Sequence, residues 1–360
     1  MSDAAIFERA AAVLQSAGLS ADEIGAAVTA GPEELARTVA RYLTFPGRRH
    51  LRPVDVWTRA GVSRDTAVSL WRAMGFPEVP DDAVAFTDAD VDALRSAVTL
   101  FERAGMNTAS GLQQARSMSQ ATMRIAASHQ DVIGGVTAGL EPLAAAAEAV
   151  AIAEDALPAL DHLLVYLYRR HLAAATEQQL ATTAVGGSVT TSCVGFADLV
   201  GFTETTGLLS IEELAQMVER FNATTAGVVA DGGGRVVKTI GDEVMFSAVD
   251  PADAVAMGLE LLEAIGPDAG YPALRVGLAT GEVLAREGDL FGPAVNLASR
   301  LVAMARPATM LVDAATRDAV AGDNRLRLTA LTPRRVRGLG TIRTWRLRPD
   351  ETAANEGDIR

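Results

Sequence analysis

The hydrophobic period of this chain changes near Gly186-Gly187-Ser188, and no other feature constrains the fold as much. Before that point apolar residues recur at helical spacing; after it they come in short runs that read as strands. Val189–Ala197 reads as an apolar strand and Ile211–Ala230 as an amphipathic helix. Arg235–Ile240 and Val244–Ala248 flank Gly241-Asp242-Glu243, a hairpin with acids at its tip. Pro251–Ile265 reads as a second helix, and Leu274–Ala279 with Val283–Arg286 as another hairpin across Thr280-Gly281. The order βαββαβ predicts an antiparallel-containing, ferredoxin-like sheet with helices on one face. The expected fold class is α+β, with an all-helical N-terminal domain preceding this unit.

Within the helical part, Ser20-Ala21-Asp22-Glu23 is a capping box that opens a helix. Arg52 to Phe76 reads as helix, tight turn at Ala60-Gly61-Val62, then helix, which is helix-turn-helix spacing. Residues 131–184 are alanine-rich with helical periodicity. Leu160, Leu163, Leu164, Leu167 and His171 share a face there, and this predicts a long connecting helix. The predicted division is 1–150 helical, 151–187 connecting helix and linker, 188–348 the sheet domain, and 349–360 a flexible polar tail.

Composition bounds the setting. A chain of 360 residues leads one to expect two or three domains. No uninterrupted apolar run is long enough to span a membrane. The start MSDAAIFERA has no basic region of the kind that opens a secretory signal. A single cysteine, Cys193, rules out an internal disulfide and fits a reducing, cytoplasmic location. A net charge of −13 argues against nucleic acid as a partner of the whole chain. The basic residues are all arginine except Lys238. A GC-rich genome accounts for the arginine excess and leaves that one lysine conspicuous.

Four segments of the C-terminal half bear chemistry. Phe196-Ala197-Asp198-Leu199-Val200-Gly201-Phe202-Thr203 puts a carboxylate at a strand end, followed by a glycine turn into a helix. Backbone N–H groups at Gly201, Phe202 and Thr203 suit phosphate oxygens. Asp242 adds a second strand-end carboxylate, and paired hard oxygen ligands are what magnesium asks for. Two ions about 3.5–4 Å apart clamp the attacking and leaving oxygens of an in-line displacement. In Asp289-Leu290-Phe291-Gly292-Pro293-Ala294-Val295-Asn296-Leu297-Ala298-Ser299-Arg300, Gly292-Pro293 starts a helix. Asn296 and Arg300 share one face of it, an amide beside a guanidinium. Alone, the pair reads equally as a solvated helix face. Finally, Arg334, Arg335 and Arg337 cluster beside Gly338 and Gly340, either to hold a triphosphate tail or to protect a strand edge.

The strings FADLVGFT, VVKTIGDEVMF and DLFGPAVNLASRL, in this order, resemble the class III adenylyl and guanylyl cyclases over roughly residues 188–347. The resemblance implies an adenylate cyclase that converts ATP to 3′,5′-cyclic AMP and pyrophosphate with two Mg²⁺ or Mn²⁺ ions per site. Asp198 and Asp242 match the metal-binding aspartates, with the carbonyl of Leu199 assisting. Lys238 and Asp289 match the adenine-selecting pair, Asn296 the ribose-orienting residue and Arg300 the transition-state arginine. Arg337 matches a basic phosphate ligand in a looser register. The purine assignment has a physical basis as well: a lysine donates to adenine N1 and an aspartate accepts from its N6 amino group, whereas guanine reverses that edge. The family implies a homodimer in which each site draws metals from one subunit and purine readers from the other.

The layout also resembles mycobacterial cyclases whose helical N-terminal domain regulates the catalytic domain and responds to pH or lipid. All four histidines, His50, His129, His162 and His171, lie in or just after that domain. Two rivals stand beside this reading. Trp57 to Arg64, with Trp71-Arg72, resembles the helix-turn-helix of MerR-like regulators, and Arg48, Arg49, Arg52, Arg59, Arg64 and Arg72 form a local basic patch. A GGDEF-type cyclic-dinucleotide synthase shares the strand order, but Lys238 and the Asn296/Arg300 helix speak against it.

Overall fold

The computed structural model describes residues 3–350, apart from 46, 141, 184–188, 287 and 337. The predicted helix end at Gly186-Gly187-Ser188, the tail after 350, and Arg337 therefore lie outside the described residues. The chain divides into two units at Ala175/Thr176.

In the first unit, α1 (Asp3–Ser16), α2 (Ala21–Thr29) and α3 (Pro32–Thr44) enclose Leu14, Leu19, Leu35 and Val39. Helix α2 starts at the predicted capping box. The Glu23 carboxylate accepts from the Ser20 backbone N–H at 2.8 Å, and the Glu23 N–H donates to the Ser20 hydroxyl at 3.4 Å. Next come α4 (Pro53–Ala60) and α5 (Arg64–Ala73), the expected helix-turn-helix. Gly61 adopts φ +75° between them, a conformation that costs a residue with a Cβ. The Ser63 hydroxyl then caps α5 by accepting from the Thr66 N–H. Helix α6 (Asp88–Arg103) and α7 (Thr108–Thr137) complete a second core around Val56, Leu70, Phe86, Val91 and Leu94. The long helix α8 (Pro142–Thr183) follows, with Tyr166 and Tyr168 exposed on it.

After the last residues of α8, the second unit contains β1 (Val189–Leu199), short α9 (Phe202–Thr206) and α10 (Ile211–Asp231). It continues through β2 (Arg235–Ile240), β3 (Glu243–Ala248), α11 (Pro251–Ala264) and β4 (Leu274–Arg286). The remainder is β5 (Asp289–Phe291), α12 (Pro293–Met304), β6 (Thr309–Val312), α13 (Ala314–Val320), β7 (Leu326–Ala330), β8 (Arg334–Val336), β9 (Gly340–Ile342) and β10 (Trp345–Pro349). The main sheet runs β2-β3-β1-β4-β6-β10-β7, with β5 paired to β4; β8 and β9 form a separate ribbon. The first four positions of that order are those of a ferredoxin-like βαββαβ unit. Strand β6 runs parallel to β4, so the sheet is mixed.

Side chains alternate across the strands and create a core on each face. Cys193, Ala197, Val244 and Phe246 join Met217, Phe221, Val255 and Leu261 of α10 and α11. Val194, Phe196, Met245 and Ala279 join Ala294, Ala298 and Leu301 of α12. The helices of the βαββαβ unit thus share one face as expected, and α12 covers the other.

One expectation fails. Leu274–Ala279 and Val283–Arg286 are not two arms of a hairpin across Thr280-Gly281. They form the single strand β4, paired with β1 from Leu199↔Leu274 to Val189↔Leu284. The chain reverses instead between Arg286 and Asp289, where β4 meets β5. Gly281 serves a different purpose: a Cβ there would come 3.3 Å from the Cβ of Ala294, so its missing side chain admits α12 to the strand. Among the described residues no helix is long and apolar enough to cross a membrane.

Candidate active site

The central strand β1 places the first carboxylate. Its last pairs set Asp198 opposite Glu243 of β3 on one side and Arg275 of β4 on the other. The Leu199 N–H donates to the Asp242 carbonyl at 3.3 Å and ties the β2–β3 turn to the end of β1. Gly241 makes that turn with φ +64°. Asp198 and Asp242 are thereby brought to the same end of adjacent strands.

Their proximity has electrostatic consequences. Burial raises the proton affinity of the Asp242 carboxyl above its ordinary value, and the negative charge of Asp198 adds to this. A backbone hydrogen bond and Arg275 oppose the rise. Glu243 is raised in the same direction, first by burial and then by Asp198 and Asp242. Among the described residues one guanidinium, that of Arg275, acts on these acids. Arg275 approaches one oxygen of Asp198 with Nε at 2.7 Å and Nη2 at 2.5 Å. This donor set fits a hard divalent cation: strand-end carboxylates whose mutual repulsion a cation would relieve. Among the described residues no three acidic, histidine or cysteine side chains close into a cage. Magnesium sites of this kind complete their shell with water and substrate phosphate.

The second pairing lies on β2 and β5. Lys238 Nζ donates to Asp289 Oδ2 at 2.6 Å, with both side chains partly buried. The other oxygen of Asp289 accepts from the Leu290 N–H at 2.8 Å and is held in place. The β2–β3 register slips between Val236 and Lys238, a bulge that re-aims the lysine. Alongside, Arg235 Nη1 donates to the Gly288 carbonyl at 3.3 Å.

The third element is α12. A Cβ at Gly292 would stand 2.7 Å from the Glu282 carbonyl oxygen, so glycine lets the helix start against β4, and Pro293 fills its first turn. Asn296 and Arg300 are both exposed on it, one turn apart. Among the described residues neither side chain makes a hydrogen bond or ion pair with the aspartates or with Lys238 and Asp289. Each chain therefore carries a carboxylate end, a lysine–aspartate pair and an amide–guanidinium helix that no such bond connects. Gly201 starts α9 in a left-handed conformation, Phe202 packs onto the core, and the Thr203 carbonyl accepts from the Thr206 hydroxyl at 2.9 Å.

Reading residues in sequence missed Arg275 and Glu243. A lone charged residue opening an otherwise apolar strand, Leu274-Arg275-Val276, is the signal that points to the former. In the sequence, Glu243 stands out only as part of the hairpin tip.

The basic patch of the helix-turn-helix is largely neutralised within the same unit. Arg59 pairs with Asp88 at 2.7 Å, Arg72 with Glu78 at 2.5 Å and Arg52 with Asp55 at 3.2 Å. Arg64 pairs with Asp81 at 3.5 Å and lies over the Trp57 ring.

Residues 187–349 match the model of the adenylate and guanylate cyclase catalytic domain. Across most of its length the chain is similar to proteins named adenylate cyclase. It is 40% identical over 334 residues to one from Streptomyces coelicolor, covering 85% of this chain and 87% of the relative. It is 35% identical to one from Glutamicibacter nicotianae, covering 91% of this chain and 85% of the relative. A protein named pH-sensitive adenylate cyclase from Mycobacterium tuberculosis is 30% identical, with 94% of this chain and 87% of the relative covered.

Proposed function

The chain belongs to the adenylate cyclases, with a class III catalytic domain in its C-terminal half, and from this we propose that it cyclises ATP at two equivalent sites shared between the subunits of a homodimer. The observation that carries the ATP assignment is the Lys238–Asp289 pair at 2.6 Å. An ammonium has three donors, so Lys238 can keep Asp289 and still donate to adenine N1. The pair holds Asp289 where its carboxylate accepts from the N6 amino group.

Asp198 and Asp242, with the Leu199 carbonyl, would hold two divalent cations, Mg²⁺ or Mn²⁺. When bound, such ions lower the pKa of the ribose 3′-hydroxyl and take up charge on the departing pyrophosphate. The protein's own part is positioning and charge stabilisation. Asn296 orients the ribose so that its 3′-oxygen lies in line with the α-phosphorus. Arg300, one turn further on, donates to the non-bridging oxygens as charge builds on them, and losing such a donor costs about 10²–10³ in rate. Backbone N–H groups at Gly201, Phe202 and Thr203 and the side chain of Arg337 are assigned to the phosphate tail.

A two-subunit site is supported by the lack, among the described residues of one chain, of any side-chain hydrogen bond or ion pair between the carboxylate end and the purine-reading set. Mixing Asp198→Ala with Lys238→Ala protein tests it. Each is inactive alone, and activity returns on mixing if one site of the mixed dimer is intact. No recovery at any ratio overturns shared sites.

We assign residues 1–150 to regulation, acting through the connecting helix at 151–187 on the catalytic module at 188–348. The similarity to a relative named pH-sensitive supports a pH signal, and a lipid signal is the alternative input. Comparing full chain with residues 186–360 in ATP and GTP assays across pH tests both the regulation and the substrate. Identical pH profiles would remove the regulatory role. The DNA-binding reading of the helix-turn-helix is disfavoured because its arginines already pair with Asp55, Asp81, Asp88 and Glu78. Absence of a gel shift on duplex DNA at low salt would close it.

A further inference from the structure

The catalytic unit contains a concave site that Asp198, Asp242, Lys238, Asp289, Asn296 and Arg300 do not line. A cavity of about 240 Å³ lies among Arg306, Arg334, Arg346, Thr332, Thr344 and Leu311, with no acidic residue in its wall. The three arginines come from separate elements: Arg306 from the loop after α12, Arg334 from β8 and Arg346 from β10. Bringing like charges to one cavity is unfavourable unless an anion joins them. Several arginines elsewhere in the protein have an acidic partner, as in Arg59–Asp88, Arg275–Asp198 and Arg325–Asp323. These three arginines make no ion pair among the described residues.

Arg346 gives a second, independent indication. Its Nε is fully buried and meets no hydrogen-bond acceptor in the protein. A buried donor without a partner is rare and calls for an acceptor. The Thr344 hydroxyl belongs to a buried residue in the same wall, whereas the Thr309 hydroxyl is already committed to the Arg306 carbonyl at 2.7 Å.

We propose that this cavity is a binding site for a phosphate group, separate from the cyclase active site. Planar guanidinium forks match tetrahedral phosphate oxygens, two donors to a pair of oxygens. The volume falls below the roughly 300 Å³ at which pockets begin to hold drug-sized ligands. The site is therefore of a size for inorganic phosphate or the phosphate end of a small monoester.

Equilibrium dialysis of the full chain against radiolabelled inorganic phosphate, without nucleotide or divalent cation, tests this. Saturable binding of one phosphate per chain is expected. Arg346→Gln should weaken it at least about ten-fold, in line with the loss of a charge-assisted contact. Arg306→Gln, a change at an exposed position, should weaken it comparably while far-UV circular dichroism stays unchanged, which guards against simple misfolding. Arg300→Ala should leave it intact. Absence of saturable binding, or binding lost with Arg300→Ala and kept with Arg306→Gln and Arg346→Gln, overturns the proposal. The latter result would place the phosphate in the active site and would leave the cyclase reading untouched. Glycerol phosphate as a competitor separates the two sources: full displacement indicates a monoester site, and none indicates a site for the free anion.

Discussion

Arg275 and Asp198 face each other across β4 and β1, and two nitrogens of the guanidinium converge on one carboxylate oxygen, Nε at 2.7 Å and Nη2 at 2.5 Å. The guanidinium occupies electrostatically the position where a divalent cation would act. In the proposed site, metal binding at Asp198 would compete with this pair. Arg275→Gln should therefore bind Mn²⁺ about ten-fold more tightly in the absence of nucleotide, the scale of one charge-assisted hydrogen bond of about 1.5 kcal/mol. Titration of Mn²⁺ followed by electron paramagnetic resonance measures this directly. Unchanged or weaker affinity would show that the pair does not oppose the metal.

The purine-reading role proposed for Lys238 and Asp289 makes a separate prediction. Lys238→Glu combined with Asp289→Cys removes the donor to N1 and the acceptor from N6. Each lost contact to a charged group is worth about 1.5–3 kcal/mol, so kcat/KM for ATP should fall by roughly 10²-fold or more. GTP turnover should rise relative to ATP. Undiminished ATP turnover would mean that the base is read elsewhere.

Gly277 sets how closely α12 lies on β4. A Cβ at this position would stand 2.2 Å from the Val302 backbone nitrogen and 2.7 Å from the Ala298 carbonyl oxygen. Backbone cannot move aside as a flexible side chain can, so Gly277→Ala must push α12 outward. Overpacking of this kind costs about 1–3 kcal/mol. The variant should melt several degrees lower and lose most of its activity, because Asn296 and Arg300 travel with the helix. An unaltered kcat alongside a lowered Tm would separate the helix position from catalysis.

Cys193 lies fully buried in β1, and burial pushes its thiol up to about 11. Hydrogen bonds from Thr280 and Thr316 offset only part of that. The folded-state value is above the free-thiol value of 9.0. The associated stability, about 2–3 kcal/mol, is therefore fully present below pH 9 and is lost as the pH rises towards about 11. Denaturant unfolding of wild type and Cys193→Ser across that range checks the sign: only the wild type should show this component of alkaline destabilisation. Labelling of the native protein by a thiol reagent should be slow and follow local opening.

Much of this architecture is legible in the sequence because local signals agree with the final contacts. Arg235–Ile240 carries its own strand pattern, Ser20 and Glu23 their own cap, and Gly61 its own turn. What fails is what depends on distant partners. Thr280-Gly281 has the composition of a turn, yet pairing with β1 holds it extended and Ala294 uses the missing side chain. Arg275 is an ordinary strand arginine until register sets it opposite Asp198. Asp289 and Lys238 are 51 positions apart, and only a family resemblance could put them together ahead of the structure. The cavity at Arg306, Arg334 and Arg346 is illegible for the same reason: its three walls come from three stretches of chain.

The β2–β3 hairpin carries Lys238 on one arm and Asp242 at its tip, and Leu199 anchors that tip to the central strand. In the two-fold assembly proposed above, these residues serve opposite sites. A single rigid-body shift of the hairpin would then misplace the base in one site and the metal in the other at the same moment. Such a lever has no half-engaged setting, so an input that reached only one subunit would throttle both active sites in concert.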